Sequence, residues 1–147
     1  MKLLVAGRLA WDYEFILDKL KTYRYRDDVV LLGYQPDEVL AKITGGAYAL
    51  VYPSYFEGFG LPIIESMQSE VPVITSNTSS MPEIGGNAAL YAAPSSPDEI
   101  AKHMQHVYRD EILRTSLIEK GKVRAAAFSW DKSAAEMWQN ILAAKRK

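Results

Sequence analysis

Residues 48–76, YALVYPSYFEGFGLPIIESMQSEVPVITS, constrain the fold more than any other stretch. The run from Tyr48 to Ser54 is apolar almost throughout, and a second apolar run covers residues 71–75. Strands without polar alternation belong in a sheet covered on both faces, as parallel sheets are. A helical pattern lies between the two runs, so the segment reads as strand, loop, helix, strand, with a right-handed crossover. Pro72 places the start of the second strand at its own position or one residue later. Gly58 and Gly60 sit in the loop, where glycine permits backbone angles and close approaches that other residues forbid. Pro62 suits the first residue of the helix, because the N–H it lacks would have no partner there. A helix opening straight after such a turn points free N–H groups and a positive dipole end outward, which favours a phosphate.

The rest of the chain repeats this alternation. Lys2–Ala6 is a short apolar run closed by Gly7, and Val29–Leu32 is another closed by Gly33. Asp12–Tyr23 carries Phe15, Ile16, Leu17 and Leu20 at helical spacing, with Asp12 able to cap it. Pro36, Asp37 and Glu38 open a further helix that Gly45 and Gly46 stop. Residues 76–87 form a polar connection with a helical turn at Pro82–Ile84, and Ala88–Ala92 reads as a last strand. Helices follow over Ile100–Arg109, over Asp110–Phe128 with a bend expected at Gly121, and over Asp131–Ala144. The expected fold class is α/β: a doubly wound, mostly parallel sheet flanked by helices, Rossmann-like, with C-terminal helices. No repeat, low-complexity tract or linker interrupts it, so residues 1–147 are expected to form a single domain. Ligands of such sheets bind outside the carboxyl ends of the strands, where the loops after Gly7, Gly33, Ser54 and Ser76 lie.

Composition narrows the function classes. A net charge of −1 gives no sign of a nucleic-acid or anionic-membrane partner. The absence of cysteine excludes a disulfide framework and thiolate zinc sites. No apolar run reaches membrane-spanning length, and the N-terminus lacks a signal-peptide pattern, so a cytoplasmic location is expected. His103 and His106 stand at i and i+3 on a helix, where surface or packing roles suit them better than metal binding.

Two carboxylates flank the loop-to-helix junction: Glu57 and Glu65, eight positions apart. Counted from Pro62, Glu65 is the fourth helical residue, and helical side chains lean back toward the N-terminus. It can therefore reach the loop mouth and accept hydrogen bonds from two neighbouring hydroxyls, as a ribose or hexose presents. Glu57 can meet further hydroxyls of the same ligand. The spacing fits equally a pair with Glu57 facing solvent and Glu65 on the wet side of its helix.

The string FEGFGLPIIESMQSEVPVITSNTSSMPEIGGNAALY closely resembles the signature region of family 4, GT-B-fold glycosyltransferases of the "glycosyl transferases group 1" type. The Glu, seven residues, Glu pattern falls on Glu57 and Glu65, with GFGLP inside it. GYQPDEVLAKITGGAYALVYPS and the terminal FSWDKSAAEMWQNIL match the same family, and the resemblance covers residues 2–142. It implies the C-terminal, nucleotide-sugar donor-binding domain of such an enzyme. By that resemblance Glu65 holds the ribose, and Glu57, the candidate catalytic residue, lies beside the donor sugar. Gly58, Phe59, Gly60 and Leu61 face sugar and diphosphate, and Gly33 and Tyr34 border the base. The reaction implied is retaining hexosyl transfer, of mannose or glucose type, to a glycan or lipid-linked acceptor. It needs no metal or other cofactor, and the donor substrate is a UDP- or GDP-sugar. The full-length enzyme is expected at the inner membrane face as a peripheral protein, in polysaccharide or lipopolysaccharide assembly.

Two departures from the family matter. The Arg and Lys that clamp the diphosphate lie upstream of the strand with which this chain begins. Arg8 imitates that arginine in its local string, but it stands only 49 residues before Glu57 and no Lys-Gly follows, so it is the weakest candidate phosphate contact. The N-terminal acceptor domain and the first strand of the donor domain are also missing from the match. The expected reading is therefore a C-terminal part that binds donor and transfers nothing alone. The alternative is a non-catalytic sugar-nucleotide-binding or flavodoxin-like interaction module. Along the last helix Trp130, Met137, Trp138, Ile141 and Leu142 form an apolar stripe, available either to another domain or to this one.

Overall fold

The computed structural model describes residues 1–8 and 13–145, and the expected cap Asp12 lies outside them. The chain divides into two compact units, Met1–Ile43 and Thr44–Lys147.

The first unit contains β1 (Leu3–Ala6), α1 (Tyr13–Thr22), a single 3-10 turn (Arg26–Asp28), β2 (Val29–Gly33) and most of α2 (Asp37–Gly45). β1 and β2 pair in parallel, Leu3 opposite Val29, and the register slips between Val5 and Ala6. Gly7 donates its N–H to the carbonyl of Gly33 at 2.9 Å, which closes the carboxyl ends of the two strands together. The expectation of strands covered on both faces fails here. Leu3, Leu4, Val5, Val30 and Leu31 are all exposed, and α1 buries no residue. A pair of strands this short has too little apolar area to enclose itself.

The second unit holds β3 (Leu50–Tyr52), α3 (Leu61–Gln68), β4 (Val73–Ser76), α4 (Met81–Gly85), β5 (Ala89–Ala92), α5 (Pro97–Arg109), α6 (Glu111–Ala125) and α7 (Trp130–Lys145). Its strands pair in parallel in the order β3-β4-β5, with Leu50 opposite Val73 and Val73 opposite Ala89. The parallel α/β class read from the sequence is thus observed, with the strands in two hydrogen-bonded sheets rather than one. Pro72 precedes β4, so the N–H it lacks falls outside the strand, and its carbonyl accepts the Leu50 N–H at 2.8 Å.

Alternation along β4 divides the core. Val73 joins Ile63, Ile64 and Met67 of α3 with Met81, Ile84, Ala88, Ala89 and Ala125. Its neighbour Ile74 points the other way and meets Val107 of α5 and Leu117 of α6. β4 is buried throughout, as a strand covered on both faces must be. α6 continues through Gly121 as one helix. A Cβ at that position would lie 3.2 Å from Met67 Cγ, so this glycine is where α3 and α6 approach closely. The apolar stripe of α7 stays exposed: Trp130, Met137, Trp138 and Ile141 are each more than half accessible.

Candidate functional site

The carboxyl edge of the second sheet carries the loop 53–60, the loop 77–80 and the N-terminus of α3. Gly60 is the residue before α3, with φ +106°, a backbone conformation that L side chains rarely adopt. α3 begins at Leu61, one residue earlier than expected, so Pro62 is its second residue and Glu65 its fifth. Gly60 supplies no side-chain cap. Among the described residues, no acceptor is paired with the backbone N–H groups of Gly58, Phe59, Gly60 or Leu61. That is the electropositive edge the sequence implied.

Glu57 is not a loose surface carboxylate. It is half-buried, and its Oε1 accepts two hydrogen bonds, from Tyr52 Oη at 2.5 Å and from Ser54 Oγ at 2.9 Å. Oε2 has no partner among the described residues. Burial, and then the Glu57 carboxylate, push the Tyr52 phenol well above its ordinary range, so it remains a donor at neutral pH. The loop backbone is held from the other side. Ser79 Oγ donates to the Glu57 carbonyl at 2.7 Å and accepts the Glu57 N–H at 3.3 Å. Ser80 Oγ lies 2.8 Å from the Phe59 carbonyl and 3.0 Å from that of Glu57. The reading that left Glu57 in solvent is therefore corrected: short bonds from its own strand end fix it. Glu65 is exposed on α3, on the wet side of the helix as the alternative reading had it, while its neighbours Ile63, Ile64, Ser66 and Met67 are buried. Its side chain is free to meet a ligand.

Behind the loop stands a residue with no signal in the sequence. Arg124, near the end of α6, donates through Nε to the Ile84 carbonyl at 2.9 Å and through Nη2 to the Glu83 carbonyl, capping α4. Its guanidinium lies 4.9 Å from the centre of the Phe128 ring, and Phe128 meets Phe59 edge to face at 5.9 Å. Arg124→Met removes both carbonyl contacts while keeping most of the side-chain volume. Buried hydrogen bonds to charged groups contribute about 1.5–3 kcal/mol each; the bond to Ile84 is part-buried and the one to Glu83 is exposed and contributes little, so a loss of roughly 2 kcal/mol in urea-unfolding free energy is expected.

Gly33, Tyr34 and Arg8 belong to the first unit. There they gather at the carboxyl edge of β1 and β2: Gly33 has φ +64°, and the Arg8 guanidinium lies 5.1 Å from the centre of the Tyr34 ring. Arg8 is exposed and stacks on Tyr34 as a cation–π pair. His103 packs: its Nε2 sits 2.8 Å from the Tyr91 carbonyl and must be the protonated nitrogen, and His106 is exposed. The described residues contain no group of three or more His, Cys, Asp or Glu able to hold a metal ion. No described helix is long and apolar enough to cross a membrane. Surface depressions along α7, lined by Met137 and Ile141, and beside α1, lined by Leu17 and Leu20, include none of the candidate residues.

Comparison with known proteins settles the family. The model of the family described as "Glycosyl transferases group 1" matches residues 1–124. The chain belongs to this family. Within glycosyl transferases group 1 it is 36% identical, over 129 residues, to O-antigen chain mannosyltransferase B of Escherichia coli. That match takes in 88% of this chain and 34% of the relative, so the chain spans about a third of the relative's length. Among solved structures, sucrose-phosphate synthase from Thermosynechococcus elongatus superposes with a TM-score of 0.84 at 26% identity, over 97% of this chain and 39% of that one. Anabaena HepE in complex with UDP-glucose gives 0.83 at 15% identity, over 97% of this chain and 41% of its own, a likeness of fold alone. What this chain shares with these neighbours is therefore the parallel α/β fold of about two fifths of each.

Proposed function

We propose that residues 1–147 bind a nucleotide-diphosphate sugar as the donor domain of a retaining, metal-independent hexosyltransferase, with mannose leading among the sugars. The observation that carries this reading is the Glu57–Glu65 pair about a glycine-led helix at the carboxyl edge of parallel strands, in a chain related to O-antigen mannosyltransferases. Each part has a physical task. The unpaired N–H groups of Gly58–Leu61 and the dipole of α3 stabilise the diphosphate, most of all as it gains charge in leaving. Glu65 accepts from the two ribose hydroxyls. Glu57, anionic and oriented, accepts from hydroxyls of the sugar and favours the positive charge that develops at its anomeric carbon. The roles of Gly33 and Tyr34 beside the base, and of Arg8 as an outlying phosphate contact, are those that the family resemblance implies. Retention and independence from metal come from the family resemblance. In the proposed enzyme, the acceptor is a growing glycan or a lipid-linked sugar, held by an N-terminal domain at the inner face of a membrane.

Transfer requires that donor and acceptor be aligned with water excluded, and a donor domain aligns one of the two. The chain alone is thus expected to bind without turning over. Calorimetric titration with UDP, GDP, ADP and their sugars tests this, with and without EDTA. Saturable binding of one nucleotide series, unchanged by EDTA, supports the reading and names the base. Absence of binding at millimolar ligand, or turnover on added acceptors, counts against it.

A further inference from the structure

Resting on that reading of Glu57, the geometry points to Tyr52 and Ser54 as positioning residues that set the donor-sugar contribution to affinity by occupying one oxygen of Glu57 and presenting the other. The asymmetry of the carboxylate carries the argument. A carboxylate oxygen accepts about two hydrogen bonds in its plane, and Oε1 of Glu57 already has two, from Tyr52 and Ser54. Only Oε2 is left to meet ligand hydroxyls. The anchors are themselves fixed. Tyr52 is the last residue of β3, in register with Thr75, whose Oγ1 donates to the Tyr52 carbonyl at 2.8 Å. Ser54 lies two residues on, and its single proton has Glu57 Oε1 at 2.9 Å and the Phe56 carbonyl only at 3.3 Å. The carboxylate is thus tied to the sheet through Tyr52 and to the base of its loop through Ser54, while the tip of that loop is open at Tyr55 and Phe56.

Both anchors are hydroxyls, which removes none of the negative charge of Glu57 but fixes where it points. A carboxylate aimed by two donors loses little freedom when a sugar arrives, so its bonds to the sugar appear almost undiminished in the affinity. Without Tyr52 the same charge is present but swings on its loop. The discriminating quantity is therefore the ratio of the dissociation constant for the nucleotide to that for the nucleotide sugar. A merely structural role would weaken both ligands together and leave the ratio alone.

The experiment measures that ratio calorimetrically with UDP and UDP-glucose, and with GDP and GDP-mannose, using whichever pair the wild-type chain binds. Variants are Tyr52→Phe, Ser54→Ala, Ser54→Thr and Glu57→Ala, each with a thermal melt. Tyr52→Phe is expected to lower the ratio about tenfold with the bare nucleotide bound as before. Ser54→Ala is expected to lower it several-fold, and Ser54→Thr, which keeps the hydroxyl, to restore it. If Glu57→Ala abolishes the sugar contribution while Tyr52→Phe leaves it intact, the positioning role is overturned and the donor reading stands. If Glu57→Ala has no effect on the ratio, or neither pair binds, the reading beneath it falls as well.

Discussion

Ile63→Ala is expected to lower the unfolding free energy of the chain by about 2–5 kcal/mol, with the milder Ile63→Val costing about 0.5–1.5 kcal/mol. Ile63 is completely buried on the first turn of α3, within the cluster that contains Val73, Met81 and Ile84. Its Cδ1 lies 3.3 Å from the place a Cβ on Gly60 would take, so this one side chain supports both the core and the floor of the glycine loop. Alanine leaves a cavity of three carbon atoms that helix α3 cannot fill without tilting, and α3 is held by its close approach to α6 at Gly121. Urea unfolding at constant m-value measures the loss. Because Gly60 rests on Ile63, the variant is also expected to bind nucleotide more weakly than its residual folded fraction explains. A nucleotide affinity unchanged after correction for that fraction would show that loop and core are uncoupled.

The parts of this structure that were legible in the sequence are those decided within one element. The helices of residues 37–45 and 97–109 and the strand after Pro72 follow from glycine, proline and capping chemistry at a few neighbouring positions. Glu57 and Glu65 were legible as a pair because a glycine loop and a helix start stand between them. What escaped is long-range. Ser79 and Ser80 clamp a loop more than twenty residues away, Arg124 caps a helix forty residues away, and neither partner is implied by local spacing. The run of hydroxyls in SNTSS, directly after β4 at the carboxyl edge, was a usable signal that a loop would be held there. Tyr52 was hidden for another reason: at the end of an apolar run its ring reads as core, and only the position of Glu57 five residues on gives its hydroxyl a task. The task of Gly121 is likewise long-range. A glycine in a helix weakens propensity, but here the absent side chain lets two helices meet, and packing outweighs propensity.

Glu65→Ala is expected to weaken nucleotide binding by about 10- to 100-fold, or about 1–3 kcal/mol, with almost no change in stability. The two expectations separate because of where Glu65 stands. Its side chain is exposed on α3, while the core-facing residues Ile63, Ile64, Ser66 and Met67 are buried around it. Alanine is, if anything, the better helix former, so folding loses nothing measurable. Binding is another matter: a charged acceptor of two ribose hydroxyls is replaced by a methyl group, and both hydroxyls return to water or stay unpaired. Glu65→Gln divides the effect. It keeps one carbonyl acceptor and the shape of the side chain but discards the charge, so an intermediate loss, nearer the wild type in 2′-deoxynucleotides, is expected. The 2′-deoxynucleotide is the sharper instrument, because it removes one of the two hydroxyls from the ligand instead of the acceptor from the protein. In a double-mutant cycle, wild type and Glu65→Ala against ribo- and deoxyribonucleotide, a coupling of about 1 kcal/mol or more places the ribose at Glu65. Additive losses would mean that Glu65 supports binding without touching the ribose hydroxyl tested, and the ribose contact would have to be sought elsewhere along the loop.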